Sequence, residues 1–139
     1  MGKQATAVLN RTFTADGDVA AHRAVGWDGA QVDAEGAKVA GIALAAAGDG
    51  ELFAATIIGS ATAETGDAIA VGDSLVSDAE GRVIPADPLA IATGTVGVTS
   101  TIANGEAVFL GGDLPVHVFA DAAESASGAG AFIEIVLRR

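Results

Sequence analysis

The sequence predicts a mainly β fold, a barrel or a sandwich, with short helical turns at most. Three observations carry this. Turn signals recur along the whole chain, 7 to 24 residues apart, leaving room only for short strands between them: Asp16-Gly17, Asp28-Gly29, Glu35-Gly36, Asp49-Gly50, Thr65-Gly66, Glu80-Gly81, Asn104-Gly105 and Gly111-Gly112. The runs between them are short and rich in β-formers. Nothing in the chain reaches the length of a capped amphipathic helix.

The elements follow in order. In the first segment Leu9, Arg11 and Phe13 share one face by two-residue alternation. This segment is either an extended arm that adds to the sheet edge of a partner or the first strand of the domain itself. Val25-Gly26-Trp27-Asp28-Gly29 is a turn that carries the only tryptophan. Trp27 there is either a plug at a barrel end or an anchor in a subunit interface. Ala37–Leu44 and Glu51–Ile58 are strand-like, and Ala43–Ala47, cut by Gly48, is a strand end and loop. Ala68–Val76, Thr95–Thr99, Ala107–Leu110 and Val116–Phe119 are further short runs. Ala120–Ala126 has high helix propensity and is either one or two helical turns or a mobile loop. Phe132–Leu137 is the closing strand.

A repeat runs through these elements. Asp33-Ala34-Glu35-Gly36 recurs as Asp78-Ala79-Glu80-Gly81, each preceded by a Val-Gly (Val25-Gly26, Val71-Gly72). Each is followed by a strand with a central glycine (Gly41, Gly97) and then by a Gly-Glu turn (Gly50-Glu51, Gly105-Glu106) before an apolar run. The drifting offset puts an insertion near Ile84–Thr93. The organisation expected is an N-terminal arm over residues 1–18 and a β domain over 19–139, with the repeat at about 25–59 and 71–112.

The 139 residues fit one domain, and half of them are hydrophobic. The core they can build is thin: there are 32 Ala and 19 Gly, but 5 Phe, one Trp and no Tyr. Apolar burial yields about 25 cal/mol per Å², so small side chains contribute little each. That argues for stabilisation by partner subunits. The formal charge of −11 repels phosphate backbones and anionic lipid, which argues against nucleic acid and membrane as partners. Residues 1–15 nevertheless carry Lys3 and Arg11 and no acid, and Arg138-Arg139 ends the chain on positive charge. No run approaches the roughly 18 apolar residues of a membrane span, and Met1–Asn10 lacks a signal-peptide core.

No cysteine is present, which removes disulfides, thiolate chemistry and Cys-based zinc sites. Gly72-Asp73-Ser74-Leu75 spells the signature of a serine esterase family. That chemistry needs a base for the Ser74 proton and donors for the oxyanion. Only His22 and His117 are available, Asp113 precedes His117 by four positions instead of three, and no strand–helix alternation is present. A turn entering a strand is the better reading. Asp16-Gly17-Asp18 and Asp49-Gly50-Glu51 lack the spacing of a calcium loop, and no phosphate loop follows any Gly pair. A surface carbohydrate site would want aromatic platforms that this composition does not supply. No catalytic, metal or cofactor residue is therefore assigned.

Gly66-Asp-Ala-Ile-Ala-Val-Gly-Asp-Ser-Leu-Val-Ser-Asp-Ala-Glu-Gly-Arg-Val-Ile-Pro-Ala resembles the Val-Gly-Asp, strand, Asp-x-x-Gly, Val pattern of small phage capsid-decoration proteins. Ala37-Lys-Val-Ala-Gly-Ile-Ala-Leu-Ala-Ala-Ala-Gly-Asp-Gly-Glu-Leu-Phe resembles the same family's Val-x-Gly-Ile-Ala, Gly-Glu, strand segment. Together they cover roughly residues 19–110. The resemblance implies a small β-barrel or β-tulip-like domain, a homotrimer at three-fold or quasi-three-fold positions on the outer surface of a phage head. It implies binding to the major capsid protein and stabilisation of the shell, with no catalysis and no cofactor. The arm and the tail from Pro115 fall outside it. Within the basic arm, Lys3, Leu9, Arg11 and Phe13 are the expected capsid contacts, and Trp27 the expected subunit-interface residue. A tail or fibre module, a carbohydrate-binding domain and an esterase using Ser74 are the alternatives.

Overall fold

The computed structural model describes residues 5–87, 99–103, 106–110 and 117–137. Lys3, Arg138-Arg139 and the distal part of the expected insertion lie outside them. Ten strands are described: β1 (Ala7–Thr14), β2 (Ala24–Val25), β3 (Gly41–Ala43), β4 (Leu52–Glu64), β5 (Ser74–Ser77), β6 (Val83–Pro85), β7 (Thr99–Ala103), β8 (Glu106–Leu110), β9 (Ala120–Ala122) and β10 (Phe132–Leu137). No helix occurs among the described residues.

Eight strands form one antiparallel sheet in the order β2-β3-β4-β10-β9-β5-β6, with β1 added on β4; β7 and β8 form a separate hairpin. The two ends of that order meet. The Ala24 N–H donates to the Gly81 carbonyl just before β6 at 2.7 Å, and the Gly66 N–H donates to the Val83 carbonyl at 2.8 Å. The sheet is therefore a nearly closed, barrel-shaped one, as the short strands and frequent turns predicted. Closure leaves few backbone groups unpaired, which is how small all-β domains limit their edges.

The interior matches the composition. Ile42, Leu75, Ile135, Val25 and Val83 are among the largest fully buried side chains, and alanines fill much of the rest. Alternation sets which residues enter: Ile133, Ile135 and Leu137 of β10 are buried, while Phe132 and Val136 face out. A second buried cluster lies beneath β1 and includes Phe13, Ala15, Val19, Val25, Phe53 and Ile57.

Local propensity is overruled in two places. Ala120–Ala126 is not helical: Ala120–Ala122 is β9, paired with both β10 and β5, and Ala126 bridges Ile69. Small side chains suit a strand packed in a crowded interior, and pairing outweighs a helix preference worth tenths of a kcal/mol per residue. β4 also continues past Ile58 to Glu64. It does so through Gly59 at φ 113°, where a Cβ would fall on the Thr6 carbonyl oxygen and 2.7 Å from the Val8 nitrogen.

The strand pairing repeats itself in register. Thr12↔Ala54 and Phe13↔Phe53 have counterparts in Thr62↔Glu134 and Ala63↔Ile133. Ala24↔Ile42 and Val25↔Gly41 recur as Ser74↔Asp121 and Leu75↔Ala120. The bridge Val19↔Ala47 recurs as Ile69↔Ala126. Even the closing turn recurs: Ala15 bonds Glu51 and Gly50 as Thr65 bonds Ala131 and Gly130. Positive φ falls at His22 (64°) in one copy and at Gly72 (88°) in the other. The chain thus holds two copies of a strand–bridge–strand unit, which match Gly41 to Ala120 and Gly50 to Gly130 and so differ in bounds and counterparts from the repeat expected at 25–59 and 71–112. β4 serves both, ending the first copy with residues 52–58 and opening the second with 59–64.

Candidate interaction surface

β1 is where the exposed features gather. The six residues before Phe13 are all exposed, Val8 at 75% and Leu9 at 49%. Phe13 alone on this strand is buried, because its ring stacks on Phe53 at 5.8 Å between centroids. Trp27 reaches the same place from the turn after β2, 6.4 Å from Phe13. The Arg11 guanidinium then lies over both rings, 5.3 Å from the Phe13 centroid and 5.7 Å from that of Trp27. A cation over aromatic faces gains about 0.5–1 kcal/mol at an exposed site. The result is an aromatic stack that rises from the core through Phe53 and Phe13 to a half-exposed Trp27, with a positive cap.

The structure therefore brings together Arg11, Phe13 and Trp27, three of the five residues singled out from the sequence. Leu9 stands apart beside a register shift, opposite the part-exposed Ile58. Phe13 offers little area for contact, and its ring acts as the platform for the other two. Among the described residues Arg11 makes no ion pair, whereas Arg23 pairs with Glu64 at 2.8 Å and Arg82 with Asp78 at 2.8 Å. The Asp78 hydrogen bond holds the Arg82 guanidinium above its ordinary pKa.

The direction of the β1 backbone adds a feature that residue type did not reveal. Ala15 bonds toward β4, accepting from Gly50 and donating to Glu51. By antiparallel alternation Phe13 and Arg11 also bond toward β4, and Asn10 and Thr12 do not. The opposite residue confirms it, since the Ala54 carbonyl accepts from Leu44 of the β3 side instead of Thr12. Asn10 and Thr12 turn their N–H and C=O groups to the outer edge of β1, which pairs with no other described strand. Period-two alternation in the sequence could have placed them, had the pairing partner been known.

The other sequence motifs are structural. Gly72-Asp73-Ser74-Leu75 is a turn entering β5: Gly72 takes φ 88° and the Asp73 carboxylate accepts the Ala70 N–H at 2.8 Å. Among the described residues Ser74 has no hydrogen bond to a histidine; the His22 ring faces the Thr62 carbonyl and the edge of Phe132. Among the described residues no three His, Asp or Glu side chains cluster as metal ligands would. A shallow groove of about 200 Å³ beside the Trp27 turn is lined by Asp28, Gln31, Asp33 and Lys38, among others.

No family model and no curated protein matches the chain. Among solved structures, the fold is similar to that of the N base of head fiber gp8.5 in bacteriophage phi29. The likeness covers 94% of this chain and 93% of that one at a TM-score of 0.60 and 21% identity. It is a likeness of fold.

Proposed function

We propose that this protein is a structural, non-enzymatic component of a phage virion that binds the outer surface of the head. In this reading it attaches to the major capsid protein, as a homotrimer at three-fold or quasi-three-fold positions, and stabilises the shell. The observation that supports it most is the likeness, over nearly the full length of both chains, to a protein of a phage head. The decoration-protein pattern in residues 37–53 and 66–86 agrees with that independently. The contact surface on this reading is the β1 side, where Arg11 and Leu9 are exposed and Trp27 is half-exposed in an otherwise acidic chain. Many copies of a modest contact give tight attachment when subunits are linked.

Cosedimentation with DNA-free expanded heads of the cognate phage tests it. Saturable binding at a fixed ratio to the capsid protein is expected; no binding to those heads at any salt would overturn it. A molar mass of three chains in solution tests the trimer. A second reading, a base that carries a head fibre, is favoured by what the phi29 protein is. Electron microscopy of virions labelled on this protein separates the two, since decoration places label across the shell and a fibre base places it beneath projecting fibres.

A further inference from the structure

We infer that the outer edge of β1 takes up an extended strand of a partner polypeptide, which sets a carboxylate against Arg11. This deepens the proposed function by giving the mode of contact, and it rests on that reading only for the identity of the partner.

The chain carries its own template for this edge. Because the two copies of the repeat are in register, Asn10, Thr12 and Thr14 of the first copy correspond to Ser60, Thr62 and Glu64 of the second. In the second copy that edge is covered by backbone from elsewhere in the chain, from the segment before β1 and from the turn at His22. The Ser60 N–H donates to the Thr6 carbonyl at 3.0 Å and the Glu64 N–H donates to the His22 carbonyl at 3.0 Å. The Thr62 carbonyl meets the His22 ring Nδ1 at 3.2 Å. On the same covering segment Arg23 pairs with Glu64, the counterpart of Thr14, so that edge of the second copy is also closed by an ion pair. In the first copy Asn10 and Thr12 lie opposite Thr56 and Ala54 of β4, and no other described strand pairs with their outer edge. A strand edge with free N–H and C=O groups is a template for another chain.

The chemistry of the occupant follows from Arg11. It is the only charged residue on β1, in a chain of net charge −11. Arg23 and Arg82 satisfy their guanidiniums with carboxylates of the chain, and Arg11 makes no ion pair among the described residues. Held over Phe13 and Trp27, it is presented in a fixed place, and the fork geometry of guanidinium favours a carboxylate. Self-pairing of two β1 strands centred on Arg11 would set like charges side by side, which disfavours that register.

The test uses two blocked octapeptides of alternating threonine and valine, one with a central glutamate and one with lysine there. The readouts are fluorescence of Trp27 and amide hydrogen exchange at Asn10 and Thr12. In the free protein both amides should exchange fast. The glutamate peptide should shift the Trp27 emission saturably and slow both amides at least tenfold, and the lysine peptide should bind at least tenfold more weakly. Thr12→Pro should abolish binding with an unchanged melting temperature, because that N–H has no ladder partner. Arg11→Gln should keep the slowed exchange and lose the preference for glutamate. Amides already slow in the free protein, equal binding of both peptides, or absence of protection at millimolar peptide each overturn the inference. Slow exchange that depends on protein concentration assigns the edge to a second copy and overturns it too. Failure of wild-type protein to bind heads while the glutamate peptide binds sinks the proposed function and leaves this inference standing. Equal attachment of wild type and Thr12→Pro to heads does the reverse.

Discussion

Replacing Phe13 with alanine asks whether β1 is part of the folded domain or a detachable arm. Phe13 is only 6% exposed and stacks on Phe53, so the change empties a packed position in the cluster beneath β1. Phe→Ala in a packed core costs about 3–5 kcal/mol, of which an aromatic pair supplies roughly 0.5–1.5. A domain of this size loses roughly 3–4 °C of melting temperature per kcal/mol, so the expected drop is about 10–18 °C. Far-UV circular dichroism melts measure it directly, with Leu9→Ala as control. Leu9 is half-exposed, and its truncation should move the melt by less than about 3 °C. A drop for Phe13→Ala as small as for Leu9→Ala would refute the packing argument and make β1 an arm. Truncation of the N-terminal segment is a less informative experiment. Removing residues 1–18 takes Phe13 and Ala15 out of the buried cluster, so lost attachment would report a damaged fold as readily as a lost contact.

Gly59→Ala should destabilise by about 2–4 kcal/mol, seen in a urea melt, because φ 113° is strained for alanine and its methyl group would strike the Thr6 carbonyl. Arg23→Gln should cost about 1–2 kcal/mol, since its partner Glu64 and the Glu80 carbonyl would both lose a charged donor. Ser74→Ala should leave hydrolysis of a p-nitrophenyl ester at the rate of the unaltered protein; a serine-dependent turnover would restore the esterase alternative. Thr12→Pro and Arg11→Pro form a matched pair. The first should be tolerated and the second should lower the melting temperature by at least 8 °C, because only the Arg11 N–H bonds toward β4.

The fold class was legible because turn chemistry is local. Gly17, Gly29, Gly36, Gly50 and Gly81 all take positive φ, and each closes a turn read from its Asp-Gly or Glu-Gly pair. Strand extents were less legible, since they depend on partners. β6 at Val83–Pro85 and the second half of β4 exist because β5 and β10 lie beside them, and neither stretch has a strong pattern of its own. Ala120–Ala126 went the same way: intrinsic preference favoured a helix and the barrel required a strand. Of the candidate surface, Arg11, Phe13 and Trp27 stood out by residue type, as the basic residue, the aromatic and the lone tryptophan. Their proximity did not, because Trp27 arrives from another turn. Asn10 and Thr12 were invisible, as what distinguishes them is the direction of a backbone N–H.

The shared strand β4 has a mechanical consequence. Its 13 residues run without interruption from the ladder with β1 to the ladder with β10. A pull along the axis of β1 loads the ladder bonds to β4 side by side, so they resist as a group and fail together. A pull at right angles, applied at one end, would peel the same bonds apart one after another under a far smaller force. A strand docked flat along Thr12 and Asn10 transmits force in the first geometry. β4 then hands that tension across Gly59 to the second copy, so the two copies share a load that enters through one of them.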